Sequence, residues 1–215
     1  MITRLLRLSA FVLAGLMAAS AGALAHPHVW VTMKSELVYA PDGSVTGIRQ
    51  AWTFDDMYST YALQGLESKQ KDVFTREELA PLAEVNVTSL KEFDYFTFAK
   101  AGGKKLAFTD PDMKDAWLEF KDSMLTLYFT LPFKTPVKAP ALDIEVFDPT
   151  YFVDFSFADN EPVKLVGAPA RCQFKTKKPT DAEVNVNMKS LTESNFLDSS
   201  NYGAMFANKI SVTCP

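Results

Sequence analysis

VWVTMKSELVYAPDGSVTGIRQAWTF, residues 29–54, is the stretch whose reading decides the fold. Val29 to Tyr39 is apolar and β-prone, and Pro41-Asp42-Gly43 is a strong turn signal. Ser44 to Phe54 reads as a second strand, so the stretch predicts an antiparallel hairpin. Beyond Phe54 the strand period breaks. Asp56 to Gln70 and Thr75 to Lys91 read as helices, the second with a capping box from Thr75 to Glu78 and with Pro81 as a possible late start or kink.

Strand character then returns. Tyr95 to Ala99 and Lys104 to Phe108 flank Gly102-Gly103, a hairpin turn. Trp117 to Phe120 and Met124 to Leu131 form a pair joined near Lys121-Asp122-Ser123. Leu142 to Phe147 and Tyr151 to Phe157 read as a further pair around Asp148-Pro149. Val163 to Val166, Arg171 to Lys175 and Ile210 to Cys214 read as short strands, and Ser190 to Ala207 as partly helical. The expected fold class is α+β: mainly antiparallel β, sandwich-like, with a helical insertion at roughly 56–91.

Upstream of the hairpin, residues 1–25 have the three parts of a signal peptide. Arg4 and Arg7 form the basic region, an apolar run extends from Leu8 to about Met17, and Ala23-Leu24-Ala25 supplies the small residues of a cleavage site. The apolar run is short for a membrane span, and no later stretch reaches the roughly 20 apolar residues one needs. The residue directly after the cleavage site is His26 rather than cysteine, which argues against a lipid anchor. The expectation is a single periplasmic domain over 26–215, not membrane-spanning after cleavage.

Charge narrows the possible partners. The whole chain carries −4, and the leader holds two arginines and no acid, so the mature chain is near −6. An acidic domain without a basic stripe is a poor nucleic-acid binder, and Lys175, Lys177 and Lys178 read as a solvated loop. The two cysteines, Cys172 and Cys214, lack CxxC spacing. In an exported protein they read as a structural disulfide worth roughly 3–4 kcal/mol in the chain-entropy model. Asn86-Val87-Thr88 matches a glycosylation acceptor, a match common by chance, and the leader looks bacterial.

The chain has two histidines, His26 and His28, and cleavage after Ala25 would make His26 the amino terminus. A terminal histidine chelates through its amine and Nδ1, and a second imidazole adds a third nitrogen. Imidazole suits zinc, nickel, cobalt or copper rather than magnesium or calcium. Pro27 has no N–H, so the square of displaced amide nitrogens is unavailable and outside ligands are needed. Carboxylates are the obvious supply. Asp55 and Asp56 sit at the strand-to-helix junction, where one of them also reads as a helix N-cap, and the hairpin would return them towards His28. Asp148 reads as a turn former. Asp154 lies in an aromatic-rich strand, where an ionised acid needs an edge, a partner or a metal. The bland alternative for His26 and His28 is a solvated tail.

HPHVWV after the leader, WTFDDMYS at residues 52–59 and VFDPTYFVDF at residues 146–155 resemble the bacterial DUF1007 family. The resemblance covers essentially the mature chain. It implies a periplasmic protein associated with transition-metal transport, of the ABC or nickel/cobalt exporter type, and His26, His28, Asp55, Asp56, Asp148 and Asp154 fall in its segments. Two-lobed solute receptors are longer and alternate strand with helix, so a small metal-binding accessory to a membrane metal transporter fits this chain better. Two other classes compete: an interaction module that never touches metal, and a copper histidine-brace enzyme. The enzyme reading lacks a second histidine from elsewhere in the fold, and HExxH, GxSxG and a Cys–His pair are all missing. The expectation is a protein that is not an enzyme.

Overall fold

The computed structural model describes residues 27–186 and 202–215. Residues 1–25, read above as a signal peptide, His26, and most of the segment read as partly helical, Ser190 to Ala207, lie outside the described residues.

The hairpin forms as the sequence predicts. β1 (Val29–Tyr39) pairs antiparallel with β2 (Val45–Phe54), from Val31 opposite Phe54 to Tyr39 opposite Val45. Strand alternation buries Val29, Val31, Met33 and Leu37 on one face and leaves Trp30, Thr32 and Lys34 on the other. Asp42 fixes the turn by accepting from both the N–H and the hydroxyl of Ser44.

The helical insertion is shorter than read at its start. α1 (Asp56–Ala62) ends at Leu63, and the chain then turns through Gly65, whose φ of +81° is easily reached only without a side chain. α2 (Arg76–Leu90) carries the full capping box between Thr75 and Glu78 and accommodates Pro81 within one helix. It packs on β5 (Trp117–Lys121) and buries Leu79, Ala83 and Val87.

The remaining strands are β3 (Thr97–Ala101), β4 (Lys104–Leu106), β6 (Met124–Val137), β7 (Ala141–Val146), β8 (Val153–Phe157), β9 (Val163–Val166), β10 (Gln173–Lys177) and β11 (Asn208–Thr213). They divide into two sheets. One runs β5-β6-β2-β1-β8, with β9 also on β1, and the other runs β10-β11-β7-β3-β4. The fold is therefore an antiparallel-rich α+β sandwich. Met33, Ile48, Trp52 and Phe129 from the first sheet share one core with Ile144, Ile210 and Val212 from the second. Two polar contacts also cross between the sheets: Gln50, held by Ser35, donates to Thr97, and Asn208 donates to the Phe155 carbonyl.

One expected pairing is corrected. Leu142 to Phe147 and Tyr151 to Phe157 do not form a hairpin, because β7 lies in the second sheet and β8 in the first. β8 runs parallel to β1, with Val29 opposite Val153 and Trp30 opposite Asp154. The chain changes sheets at Asp148-Pro149, and the Asp148 carboxylate makes the change sharp. It accepts from the Thr150 N–H at 2.8 Å, the Thr150 hydroxyl at 2.9 Å and the Val153 N–H at 3.0 Å. Tyr151 takes a left-handed φ of 56° within this turn and stacks on Phe206, ring centroids 3.8 Å apart. Gly203 lies against the same turn and donates to the Pro149 carbonyl. A Cβ added to Gly203 would stand 1.6 Å from the Asp148 carbonyl oxygen.

Cys172 and Cys214 form the expected disulfide, tying the start of β10 to the end of β11 across a sequence separation of 42.

Candidate functional site

His28 immediately precedes β1, and of the expected acids Asp154 is the one that shares the outer face of the sheet with it. His28 is exposed, its N–H donates to the Phe152 carbonyl at 2.8 Å, and its ring lies 4.8 Å from that of Phe152. Trp30 follows on the same face at 45% exposure, so a large apolar ring meets solvent there. In-register neighbours of parallel strands point the same way, so Asp154 lies beside Trp30 on this face.

The hairpin does return Asp55 to the start of β1. Its N–H donates to the Trp30 carbonyl at 2.9 Å, and its Oδ2 accepts from the Trp30 N–H at 2.9 Å. Its Oδ1 accepts from the Tyr58 N–H at 2.8 Å, making it the N-cap of α1. Proximity is as the sequence implies, but both carboxylate oxygens are turned to backbone donors. Asp56 occupies the exposed first turn of α1, where its charge suits the positive end of the helix.

Asp148 and Asp154 differ more sharply. Asp148 is 2% exposed and spends its carboxylate on the turn just described. Asp154 is half-buried and makes no hydrogen bond or ion pair with the described residues. Burial alone raises its pKa from 3.8 to about 6. It is the acid of the six expected residues whose oxygens remain available on the His28 face. Among the described residues, no group of three or more His, Cys, Asp or Glu side chains is already assembled as a metal site.

The inner face at the same end of the sandwich holds a feature that sequence reasoning missed. A cleft of about 780 Å³ opens between the ends of β1 and β2, the helices α1 and α2, and the Phe152–Val153 segment. Trp52 and Phe155 lie deep in it, and Tyr61, Val85, Phe93 and Phe152 are among its lining residues that reach solvent. Tyr58 and Asn86 add a polar pair to the wall, the Tyr58 hydroxyl donating to Asn86 Oδ1 at 3.1 Å. Trp52, Phe54 and Tyr58 all come from WTFDDMYS, so the aromatics of that stretch were the available signal. The partners across the cleft arrive from α2 and from beyond Asp148.

Fold and site together define a two-sheet α+β sandwich with an exposed histidine edge and an aromatic cleft at one end. The chain belongs to the family described as "Protein of unknown function (DUF1007)", whose model matches residues 11–214. It is similar to an uncharacterized protein of Haemophilus influenzae, 26% identical over 199 residues that span 91% of this chain and 94% of that protein. Among solved structures, acetylcholine-binding protein type 1 of Biomphalaria glabrata matches 87% of this chain and 85% of its own, at 10% identity and a TM-score of 0.37. That score is too low to indicate a common fold.

Proposed function

We propose that the chain, cleaved after Ala25, is a periplasmic transition-metal-binding accessory to a membrane metal transporter. The amine and imidazole of His26, the imidazole of His28 and a carboxylate oxygen of Asp154 would hold one divalent zinc, nickel, cobalt or copper ion. The observation that carries this reading is Asp154. It is a half-buried carboxylate without a hydrogen-bond or ion-pair partner among the described residues, in register with Trp30 and two positions along the face from His28. A desolvated acid left in this way costs stability unless a cation or a proton compensates it. Nitrogen donors beside one oxygen donor suit borderline metals. Metal bound at a chain end, with few ligands from the fold, is also readily passed on. Protonation of the imidazoles or transfer to a partner would release it.

Metal titration of processed protein beginning at His26 tests the reading. Wild type should bind one ion, with affinity falling on acidification because the ligating imidazoles must be unprotonated. His26→Ala combined with His28→Ala should abolish tight binding, and Asp154→Asn should weaken it at least tenfold. One added residue before His26 should weaken it if the amine ligates. If the double-alanine protein bound zinc, nickel, cobalt and copper as tightly as wild type, the metal reading would fall. An accessory role through protein contacts would then replace it.

A further inference from the structure

We infer that the aromatic cleft on the inner face is a binding site for a neutral, lipophilic small molecule bearing a hydrogen-bond acceptor. The inference is independent of the metal reading. Four observations carry it. The cleft's volume, about 780 Å³, falls within the range of pockets that take drug-sized ligands. Its opening is unusually apolar for a surface: Tyr61 is 70% exposed, Val85 62%, Phe152 46% and Phe93 42%, all around one mouth. Large apolar side chains gathered in one exposed patch mark a recognition surface.

The third observation is chemical. Trp52 lines the cleft and is 1% exposed, yet its indole Nε1–H has no hydrogen-bond partner among the described residues. Its ring is fixed by edge contacts with Phe129 and Phe155, centroids 4.9 Å away in each case. A buried donor without an acceptor is costly, and a ligand oxygen that displaced the side chains packed over the indole edge would remove that cost. The fourth is charge. Among the described residues lining the cleft there is no Lys, Arg or His, and Asp148 is the one carboxylate, its oxygens already occupied by the turn. An anionic head group would find no counter-charge there, so the acceptor belongs to a carbonyl or ether rather than a carboxylate or phosphate.

The probes are 2-acetylnaphthalene, naphthalene and 2-naphthoate, titrated into the full processed chain while the indole N–H resonances of its three tryptophans are followed. The ketone should bind saturably at one site and move the Trp52 signal. Naphthalene, lacking the acceptor, should bind roughly 3–10-fold more weakly, and naphthoate more weakly still. Trp52→Phe should narrow the gap between ketone and hydrocarbon. Val85→Trp, which fills the mouth from an exposed helical position, should weaken all three whether or not the Trp52 variant folds. Asp154→Asn should leave ketone binding unchanged while altering metal binding, which separates this site from the proposed metal site. Equal binding of ketone and hydrocarbon with an unmoved Trp52 signal would overturn the inference, as would preference for the carboxylate. Displacement of the ketone by a peptide of residues 187–201, or by dimerisation at high protein concentration, would also overturn it and assign the cleft to the chain itself.

Discussion

Asp148 and Asp154 stand on either side of one sheet-to-sheet crossing, and the fold uses their carboxylates in opposite ways. Asp148 is almost inaccessible and accepts three hydrogen bonds, two of them from backbone N–H groups that would otherwise be unpaired. Asp154 is less buried, receives nothing from the described residues, and its pKa rises to about 6. Burial therefore does not decide what a carboxylate contributes; the donors around it do. A satisfied acid holds a turn, whereas an unsatisfied one is held in place by the strand that carries it.

The largest expected effect comes from breaking the satisfied side. Asp148→Ala orphans the N–H groups of Thr150 and Val153 and should cost about 3–5 kcal/mol of stability, read as a fall in urea midpoint. Gly203→Ala attacks the same turn from outside, because the new Cβ would overlap the Asp148 carbonyl. It should cost about 2–4 kcal/mol, as expected where backbone must shift. A loss below 0.5 kcal/mol in both variants would show that the crossing does not depend on this packing.

Asp154→Asn should act in the opposite direction. The folded pKa lies above the ordinary 3.8, so between about pH 4 and pH 6 the native state holds more protons than the unfolded one. Stability then falls as pH rises through that window, and the full penalty is present above it. With a chelator present, the variant should gain roughly 1–3 kcal/mol at pH 7 and nothing below about pH 4. A pH-independent gain would mean that something other than ionisation is responsible. The smallest effect belongs to His28→Ala, which should change the stability of chelator-treated protein by less than about 1 kcal/mol because the side chain is exposed. Its consequence should appear in metal affinity, which thermal melts with and without zinc would separate.

Local chemistry made much of the fold legible. The Pro41–Gly43 turn, the Gly102-Gly103 hairpin and the Thr75–Glu78 capping box each specify a conformation within a few residues, and each forms as read. Asp122 and Ser123 turn between β5 and β6 with left-handed φ values of 52° and 64°. The Asp148 crossing was not legible, because Asp-Pro between two apolar strands looks like any hairpin turn. Its direction depends on β1, more than a hundred residues upstream, accepting β8 in parallel. Of the site, the sequence placed Asp55 beside the start of β1 and marked Asp154 as an acid needing explanation. It also read one of Asp55 and Asp56 as a helix N-cap, which Asp55 is, but it did not reveal that the other Asp55 oxygen accepts from the Trp30 N–H, nor the cleft, whose walls come from segments between Val29 and Phe155.

The position of β1 also bears on the order of assembly. A chain emerging from its amino end presents this strand early, and β2 soon covers one side of it. The other side has no partner until Val153 to Val166 arrive as β8 and β9. For most of its synthesis the nascent protein therefore displays an open ladder of N–H and C=O groups along the strand that ends up central, a template for self-association. Completion of the first sheet is a late, long-range event, and a fragment ending before Val153 would keep that edge exposed permanently.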